Sequence, residues 1–224
     1  MNDKTEACLL FDIDGTLVDT DHIHLAAFNT VTSDYGVSVD AETYKAVVSG
    51  RMNDVILQEL LPHVPANEHG AIGRRKEALF REMANEMKPL AGLIELLDWA
   101  DRVKLRYAAV TNAPRENAAL VLSSLKATER FSAVVIAEDL AHPKPHPLPY
   151  LTGLRRLNGN ADRSVAFEDS KAGVSSAHAA GLGVVGITTS LDGSVLKATG
   201  ASVTAPDYHD PELKRFIKDR TGKS

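Results

Sequence analysis

Phe11-Asp12-Ile13-Asp14-Gly15-Thr16-Leu17 follows directly on the apolar run Ala7-Cys8-Leu9-Leu10. A short continuous apolar run reads as a buried strand of a parallel sheet, and the acidic pair marks where that strand ends. Residues two apart on an extended chain share a side, so Asp12 and Asp14 face the same way for as long as the strand persists. Gly15 lets the backbone turn sharply away. Ligands of parallel sheets bind outside the carboxyl ends of the strands, which is where this pair falls. An aspartate there can attack phosphorus and form an aspartyl-phosphate. Such an attack meets a crowd of anionic oxygens, so a cation must neutralise charge; Mg²⁺ suits the task because it combines a few carboxylates with phosphate oxygens and water. A second carboxyl can protonate the leaving oxygen and later deprotonate the attacking water. The plainer alternative is an acidic exit from strand to loop.

Outward from this segment the chain has two textures. From Pro89-Leu90-Ala91-Gly92 onward, β-rich runs alternate with helical ones. Strands are predicted at Tyr107 to Val110, Ala133 to Ile136, Ser164 to Phe167 and Gly183 to Ile187, with a short last one at Ala201 to Val203. Helices are predicted at Arg115 to Leu125, Leu148 to Leu157 and Lys171 to Ala180. This alternation predicts an α/β fold, a doubly wound parallel sheet covered on both faces. Between Asp21 and Lys88 apolar residues recur at helical spacing instead, over His22 to Tyr35 with a stop at Gly36, Ala41 to Val48, Asn53 to Leu61 and Ala66 to Met87. Pro62 and Pro65 separate the last two. The expected organisation is a core of residues 1–19 and 89–224 and a helical insert, 20–88, over the sheet's active edge, with hinges at Val18 to Asp21 and Lys88 to Gly92.

Three further strand ends carry chemistry. Thr111-Asn112-Ala113 precedes Pro114, which suits a first helical turn. The free N–H groups of that turn and the Thr111 hydroxyl can meet a phosphoryl oxygen, although Thr-Asn before a helix also serves as an ordinary cap. Lys144 lies in His142-Pro143-Lys144-Pro145-His146-Pro147, where the prolines forbid a helix and stiffen the chain. It can neutralise the nucleophile and the transferring group, or sit in a Pro-rich connector. The prolines also remove the helical geometry that a His142/His146 metal pair would need. Glu168-Asp169-Ser170 supplies a second acidic pair, which can hold a cation or cap the following helix. Gly181-Leu182-Gly183-Val184-Val185-Gly186 matches G-x-G-x-x-G, but it follows a helix and enters a strand, the reverse of the dinucleotide-binding context. It reads as a helix stop, and no nicotinamide or flavin is expected.

Taken as a set, Asp12-x-Asp14-Gly-Thr, Thr111, Lys144 and Glu168-Asp169 resemble, in order and context, the four motifs of the haloacid dehalogenase superfamily. The insert after the first motif resembles that superfamily's small helical cap. The resemblance implies that Asp12 is the nucleophile and Asp14 the general acid/base. It implies that Thr111 and Lys144 steady the phosphoryl group, and that Asp12, the Asp14 carbonyl and Asp169 hold Mg²⁺, with Glu168 ligating directly or through water. Dehalogenases and phosphonatases lack an aspartate at the position of Asp14, and the Lys-Thr-Gly-Thr of ion pumps is absent, so phosphate monoester hydrolysis is implied. Within the superfamily the chain is similar to β-phosphoglucomutase-like and phosphoglycolate phosphatase-like enzymes. His24, twelve residues after Asp12, and Lys76 resemble cap residues of that group. Gly50-Arg51-Met52 departs from the mutase pattern. The resemblance makes His24, Arg51 and Lys76, together with Asn112, candidates for contact with substrate. The implied function is a Mg²⁺-dependent phosphatase of a small phosphorylated metabolite, of sugar-phosphate or phosphoglycolate type; a phosphosugar mutase is the alternative.

Composition sets outer bounds. The 224 residues include 30 acidic and 25 basic side chains, a net charge of −5, so no nucleic-acid-binding face is expected. Arg74-Arg75-Lys76, the tightest basic run, reads as a solvated helix face or a ligand contact. No apolar stretch of about 20 residues spans a membrane, and Met1 to Glu6 is polar rather than a secretory leader. The lone Cys8 excludes an internal disulfide and fits a reducing compartment, so a cytoplasmic protein is expected, working as a monomer with a dimer as the alternative. A phosphoacceptor receiver domain is also doubly wound and acidic, but it is about half this length and has no place for the insert.

Overall fold

A computed structural model describes residues 6–223. The polar start Met1 to Thr5 and Ser224, both assigned to the core from sequence, lie outside those residues. Six parallel strands form one sheet: β1 (Cys8–Phe11), β2 (Arg106–Thr111), β3 (Ala133–Ile136), β4 (Val165–Glu168), β5 (Gly183–Ile187) and β6 (Val203–Ala205), in the order β3-β2-β1-β4-β5-β6. The fold is a doubly wound α/β sheet. Alternation on β1 explains its continuous apolarity, because each face must be buried. Leu9 and Phe11 enter a cluster with Leu97, Tyr107 and Ile217, while Cys8 and Leu10 enter another with Tyr150, Val174 and Val184. Phe11 stacks on Phe167 with ring centroids 4.5 Å apart and meets Tyr107 and Phe131 edge-on.

The chain leaves β1 for one side of the sheet and later returns to place β4 on the other, so the topological switch lies at the carboxyl ends of β1 and β4. Register then sets the site. Phe11 pairs with Phe167, and the Asp12 N–H donates to the Phe167 carbonyl at 3.0 Å, bringing Asp12 level with Glu168. Thr111 ends β2 on the opposite flank.

Between β1 and β2 run α1 (Asp21–Thr32), α2 (Ala41–Thr43) continued by a π-turn over Tyr44–Val48, α3 (Asn53–Leu60) and α4 (Ala66–Met83). They bury their own cluster, including Phe28, Val31, Ile56, Leu57 and Ile72. Gly36 closes the first segment in the left-handed region, φ 72°, as a helix-stopping glycine does. The long fourth helix ends at Met83 rather than Met87. Beyond it the chain runs back toward the sheet, where Pro89 bridges Val18 in antiparallel fashion and the Leu90 N–H donates to the Leu17 carbonyl at 2.9 Å. A helix continued to Met87 would hold that return path away from the outgoing connector.

The remaining helices are α5 (Leu93–Arg102), α6 (Arg115–Ser124), α7 (Leu148–Leu157), α8 (Lys171–Ala179), α9 (Gly193–Thr199) and α10 (Pro211–Thr221). Three of these, α5, α9 and α10, are absent from the sequence-based expectation. Two carry readable signals: Leu93, Leu96, Leu97 and Ala100 form an apolar face at i, i+3, i+4 and i+7, and Asp210 caps α10 by accepting from the Glu212 and Leu213 N–H groups, ahead of Pro211 in the first turn. The last strand is Val203–Ala205, not Ala201 to Val203, because Val203 pairs with Val185 and Ala201 is used to close α9. Gly181 adopts φ 82° between α8 and β5, a helix stop as expected from the order of elements.

Candidate active site

The strand ends converge beneath the helical insert. Lys144 Nζ lies 2.5 Å from Asp12 Oδ1 and 2.5 Å from Glu168 Oε1, and Tyr150 Oη donates to the same Glu168 oxygen at 2.6 Å. Carboxylate oxygens of Asp12, Glu168 and Asp169 lie within 4.8 Å of one another. All three side chains and Lys144 are buried. Two glycines make room for the cluster: a Cβ on Gly15 (φ 74°) would overlap the Asp169 carboxylate, and one on Gly173 would overlap that of Glu168. The lysine is steadied through its backbone as well. The Asn112 amide accepts from the Lys144 N–H at 3.1 Å and donates to the Lys144 carbonyl at 3.2 Å, tying the Pro-rich segment to the end of β2.

Three buried carboxylates against one ammonium leave negative charge in excess. Burial, reinforced by the neighbouring carboxylates, pushes the Asp12 and Asp169 carboxyls well above the usual range, and Lys144 offsets only part of this at Asp12. Burial alone would discharge Lys144, but Asp12 and Glu168 outweigh it and hold the ammonium firmly charged. An all-oxygen, anionic and desolvated donor set of this kind fits a hard divalent cation. The titration has a consequence for stability. A carboxyl that titrates higher in the folded chain contributes stability that is complete below its unfolded value near about 4 and lost as pH rises through the folded one. We therefore expect urea midpoints in EDTA to fall as pH rises from about 5 to 8, and MgCl₂ to flatten that slope. A midpoint independent of pH in EDTA would contradict the charge balance described.

Asp14 faces the other way, toward the insert. Thr20 Oγ1 donates to Asp14 Oδ1 at 2.8 Å, and His24 Nε2 approaches the same oxygen at 3.4 Å. His24 Nδ1 lies 2.8 Å from Lys76 Nζ, which also reaches Glu77 Oε1 at 2.9 Å. Burial pushes Asp14 up, but the His24 contact, the Thr20 hydroxyl and the Lys76 charge outweigh it and hold the carboxyl below its usual range. Burial pulls Lys76 down despite Glu77, and its ammonium lies 4.6 Å from the centroid of the Phe28 ring. Two aspartates two residues apart are thus driven in opposite directions by their surroundings.

Of the residues picked out from sequence, Asp12, Lys144, Glu168 and Asp169 are in one cluster, and Asp14, His24 and Lys76 form a second, hydrogen-bonded chain. Both clusters contribute to a cavity of about 610 Å³, whose walls also carry Thr111 and Arg51. The Thr111 hydroxyl accepts the Ala113 N–H at 2.9 Å, which leaves its hydrogen to donate into the cavity. Arg51 is partly committed, donating to the Val47 carbonyl and to Glu59, each at 2.8 Å. Asn112 lines the cavity too. Its amide serves the Lys144 backbone and the Gly50 carbonyl (3.1 Å) of the insert. Thr20, Tyr150, Asp21 and Ser190 join the site without any motif to mark them, since each is an ordinary polar side chain whose contacts are set only by the fold.

The acidic strand ends of the parallel sheet thus meet under the helical insert, where sheets of this kind bind their ligands. The sequence profile of the haloacid dehalogenase-like hydrolases matches residues 9–187, and the chain belongs to that family. It is 31% identical over 199 residues to a phosphorylated carbohydrates phosphatase of Thermotoga maritima, covering 86% of this chain and 91% of that one. Among solved structures, CbbY of Rhodobacter sphaeroides in complex with xylulose-(1,5)bisphosphate superposes with a TM-score of 0.81 at 26% identity, covering 92% of this chain and 96% of that one. β-Phosphoglucomutase of Clostridium difficile shares the fold with a TM-score of 0.85 at 20% identity, covering 97% and 98%. The chain is an enzyme, a phosphoric monoester hydrolase. Among the described residues no helix is long and apolar enough to cross a membrane.

Proposed function

We propose that the enzyme hydrolyses a small phosphorylated metabolite, of sugar-phosphate or phosphoglycolate type, through an aspartyl-phosphate on Asp12. The observation that carries this reading is the convergence of Asp12, Glu168 and Asp169 around Lys144 at the strand ends, with Asp14 two residues on turned toward Thr20 and His24 of the insert. Asp12 attacks phosphorus while the bond to the leaving oxygen breaks, and that oxygen takes a proton from Asp14. Water then attacks the aspartyl-phosphate, giving its proton back to Asp14, and inorganic phosphate leaves. In the free chain Asp14 is held as a carboxylate; a substrate anion beside Lys76 shares its positive charge and lets Asp14 take up the proton it must deliver. Thr111 and Lys144 donate to the transferring oxygens.

Asp12, the Asp14 carbonyl and Asp169 would hold Mg²⁺. When bound, the ion neutralises charge on the phosphoryl group. Glu168 already accepts from Lys144 and Tyr150, which supports a role through water rather than as a direct ligand. In this reading residues 20–88 are a cap, with the core in 1–19 and 89–224, and His24, Arg51 and Lys76 meet the leaving group. The single, buried Cys8 supports a cytoplasmic enzyme, and nothing in the mechanism requires a second copy of the chain.

The test is a phosphate-release screen over sugar phosphates, phosphoglycolate, nucleotides and β-glucose 1-phosphate, run with MgCl₂ and with EDTA. Phosphate release from small sugar phosphates or phosphoglycolate, lost in EDTA, is expected. The His24 and Lys76 chain also suits a phosphosugar mutase, so glucose 6-phosphate appearing without free phosphate would replace the hydrolase reading.

A further inference from the structure

Ser190 lies in the turn after β5, fully buried, between two carboxylates from different parts of the chain. Its hydroxyl is 2.5 Å from Asp169 Oδ2 and 2.6 Å from Asp21 Oδ2. Asp21 opens α1, the first helix of the insert, and its other oxygen accepts from Tyr44 Oη at 3.0 Å. The neighbouring Thr189 hydroxyl donates to the Gly15 carbonyl at 2.5 Å, pinning this turn against the acidic motif after β1. A continuous path therefore runs from the insert (Tyr44, Asp21) through the core (Ser190) to the Asp169 carboxylate.

A serine hydroxyl has one hydrogen. It can donate to only one of the two carboxylates at a time, and toward the other it offers lone pairs. With Asp21 seated by Tyr44, Ser190 has a fixed neighbour on the side away from Asp169, and when it donates to Asp169 it gives that carboxylate a fixed partner on one oxygen. Outer partners of this kind orient metal-ligating carboxylates and are felt in metal affinity. We propose that Ser190 is a positioning residue for Asp169, and that Asp21 and Tyr44 of the insert act through it, so that the affinity of the core for Mg²⁺ depends on residues of the insert. This rests on the assignment of the cation to Asp169 made above. It extends that assignment by linking cation loading to the seating of α1. The coupling is reciprocal, since a cation that binds better with α1 seated also seats α1 better.

The experiment is calorimetric titration of MgCl₂ into the EDTA-stripped full chain, without substrate, with thermal melting in EDTA as the check on folding. Ser190→Ala is expected to weaken Mg²⁺ binding by on the order of 10-fold or more. Tyr44→Phe, which removes one hydroxyl and no charge, should weaken it roughly threefold, the effect of one lost hydrogen bond. In the Ser190→Ala background Tyr44→Phe should add almost nothing, because the path is already cut. Equal effects of Tyr44→Phe in both backgrounds would overturn the proposal. So would wild-type affinity in Tyr44→Phe alone, which decides the matter even if Ser190→Ala does not fold. Asp169→Asn serves as the reference and should abolish binding. Undiminished binding there would remove the cation assignment and the inference together, whereas loss in Asp169→Asn with wild-type binding in Ser190→Ala would remove the inference alone.

Discussion

Asp12→Asn will leave a folded protein with no measurable turnover. An amide cannot attack phosphorus, and loss of a covalent nucleophile costs roughly 10⁴-fold or more in kcat. Stability should move the other way or not at all. Asp12 is one of three carboxylates sharing a single ammonium, and burial already pushes its carboxyl toward the neutral form. A neutral residue of the same shape relieves that excess, while Lys144 keeps Glu168 as its partner at 2.5 Å. The melting temperature in EDTA should therefore equal or exceed that of the parent, with phosphate release from p-nitrophenyl phosphate in MgCl₂ falling to background. Retained turnover would remove Asp12 as the nucleophile. A large loss of stability would show that the Lys144–Asp12 pair, not the charge excess, dominates the cluster.

Lys144→Met is the converse case. The methionine keeps much of the length of the side chain but takes from Asp12 and Glu168, clustered with Asp169, the ammonium that pairs with both. Removing one partner of a buried ion pair costs about 3–5 kcal/mol, because the remaining charge is left without compensation. The Asp12 and Asp169 carboxyls, already pushed up, move further in that direction, so the loss should be greatest at pH 8 and shrink toward pH 5, where they protonate. Urea denaturation in EDTA at the two pH values reads this directly. Turnover should fall by about 10³-fold even where the protein is folded, since a preorganised cation facing the transferring group is removed. A stability loss of the same size at both pH values would mean that packing around Tyr150, and not charge, is what the lysine supplies.

Much of this site is legible in the chain because the chemistry is local. Asp12 and Asp14 announce themselves by spacing, Glu168-Asp169 by following an apolar run, and Lys144 by the prolines on both sides. The parallel sheet is legible for the same reason, as strands buried on both faces must be apolar throughout. The apolar face of Leu93, Leu96, Leu97 and Ala100 is legible too once it is traced. What local pattern cannot carry is contact across the fold. Ser190 is 169 positions from Asp21, and Lys76 is 52 from His24. A serine after a strand or a lysine on a helix looks the same whether it meets solvent or a buried carboxylate. Asn112 lines the cavity as well, but that its amide also ties the Lys144 backbone to the insert is written nowhere near it in the chain. The end of α4 at Met83 likewise depends on where the chain must go next, not on helix propensity between Ala84 and Met87.

The bridge between Val18 and Pro89 has a consequence for how such a chain can be assembled. Everything from Asp19 to Lys88 departs from the sheet and returns to it at neighbouring points, already joined by backbone hydrogen bonding at Leu17 and Leu90. To the sheet, the whole helical segment is a single loop with its ends clasped. Because the entropy of closing a loop grows only slowly with its length, that segment can lengthen, shorten or be exchanged at little cost to the sheet beneath. Selection can then rework the helical segment while the four strand ends stay as they are.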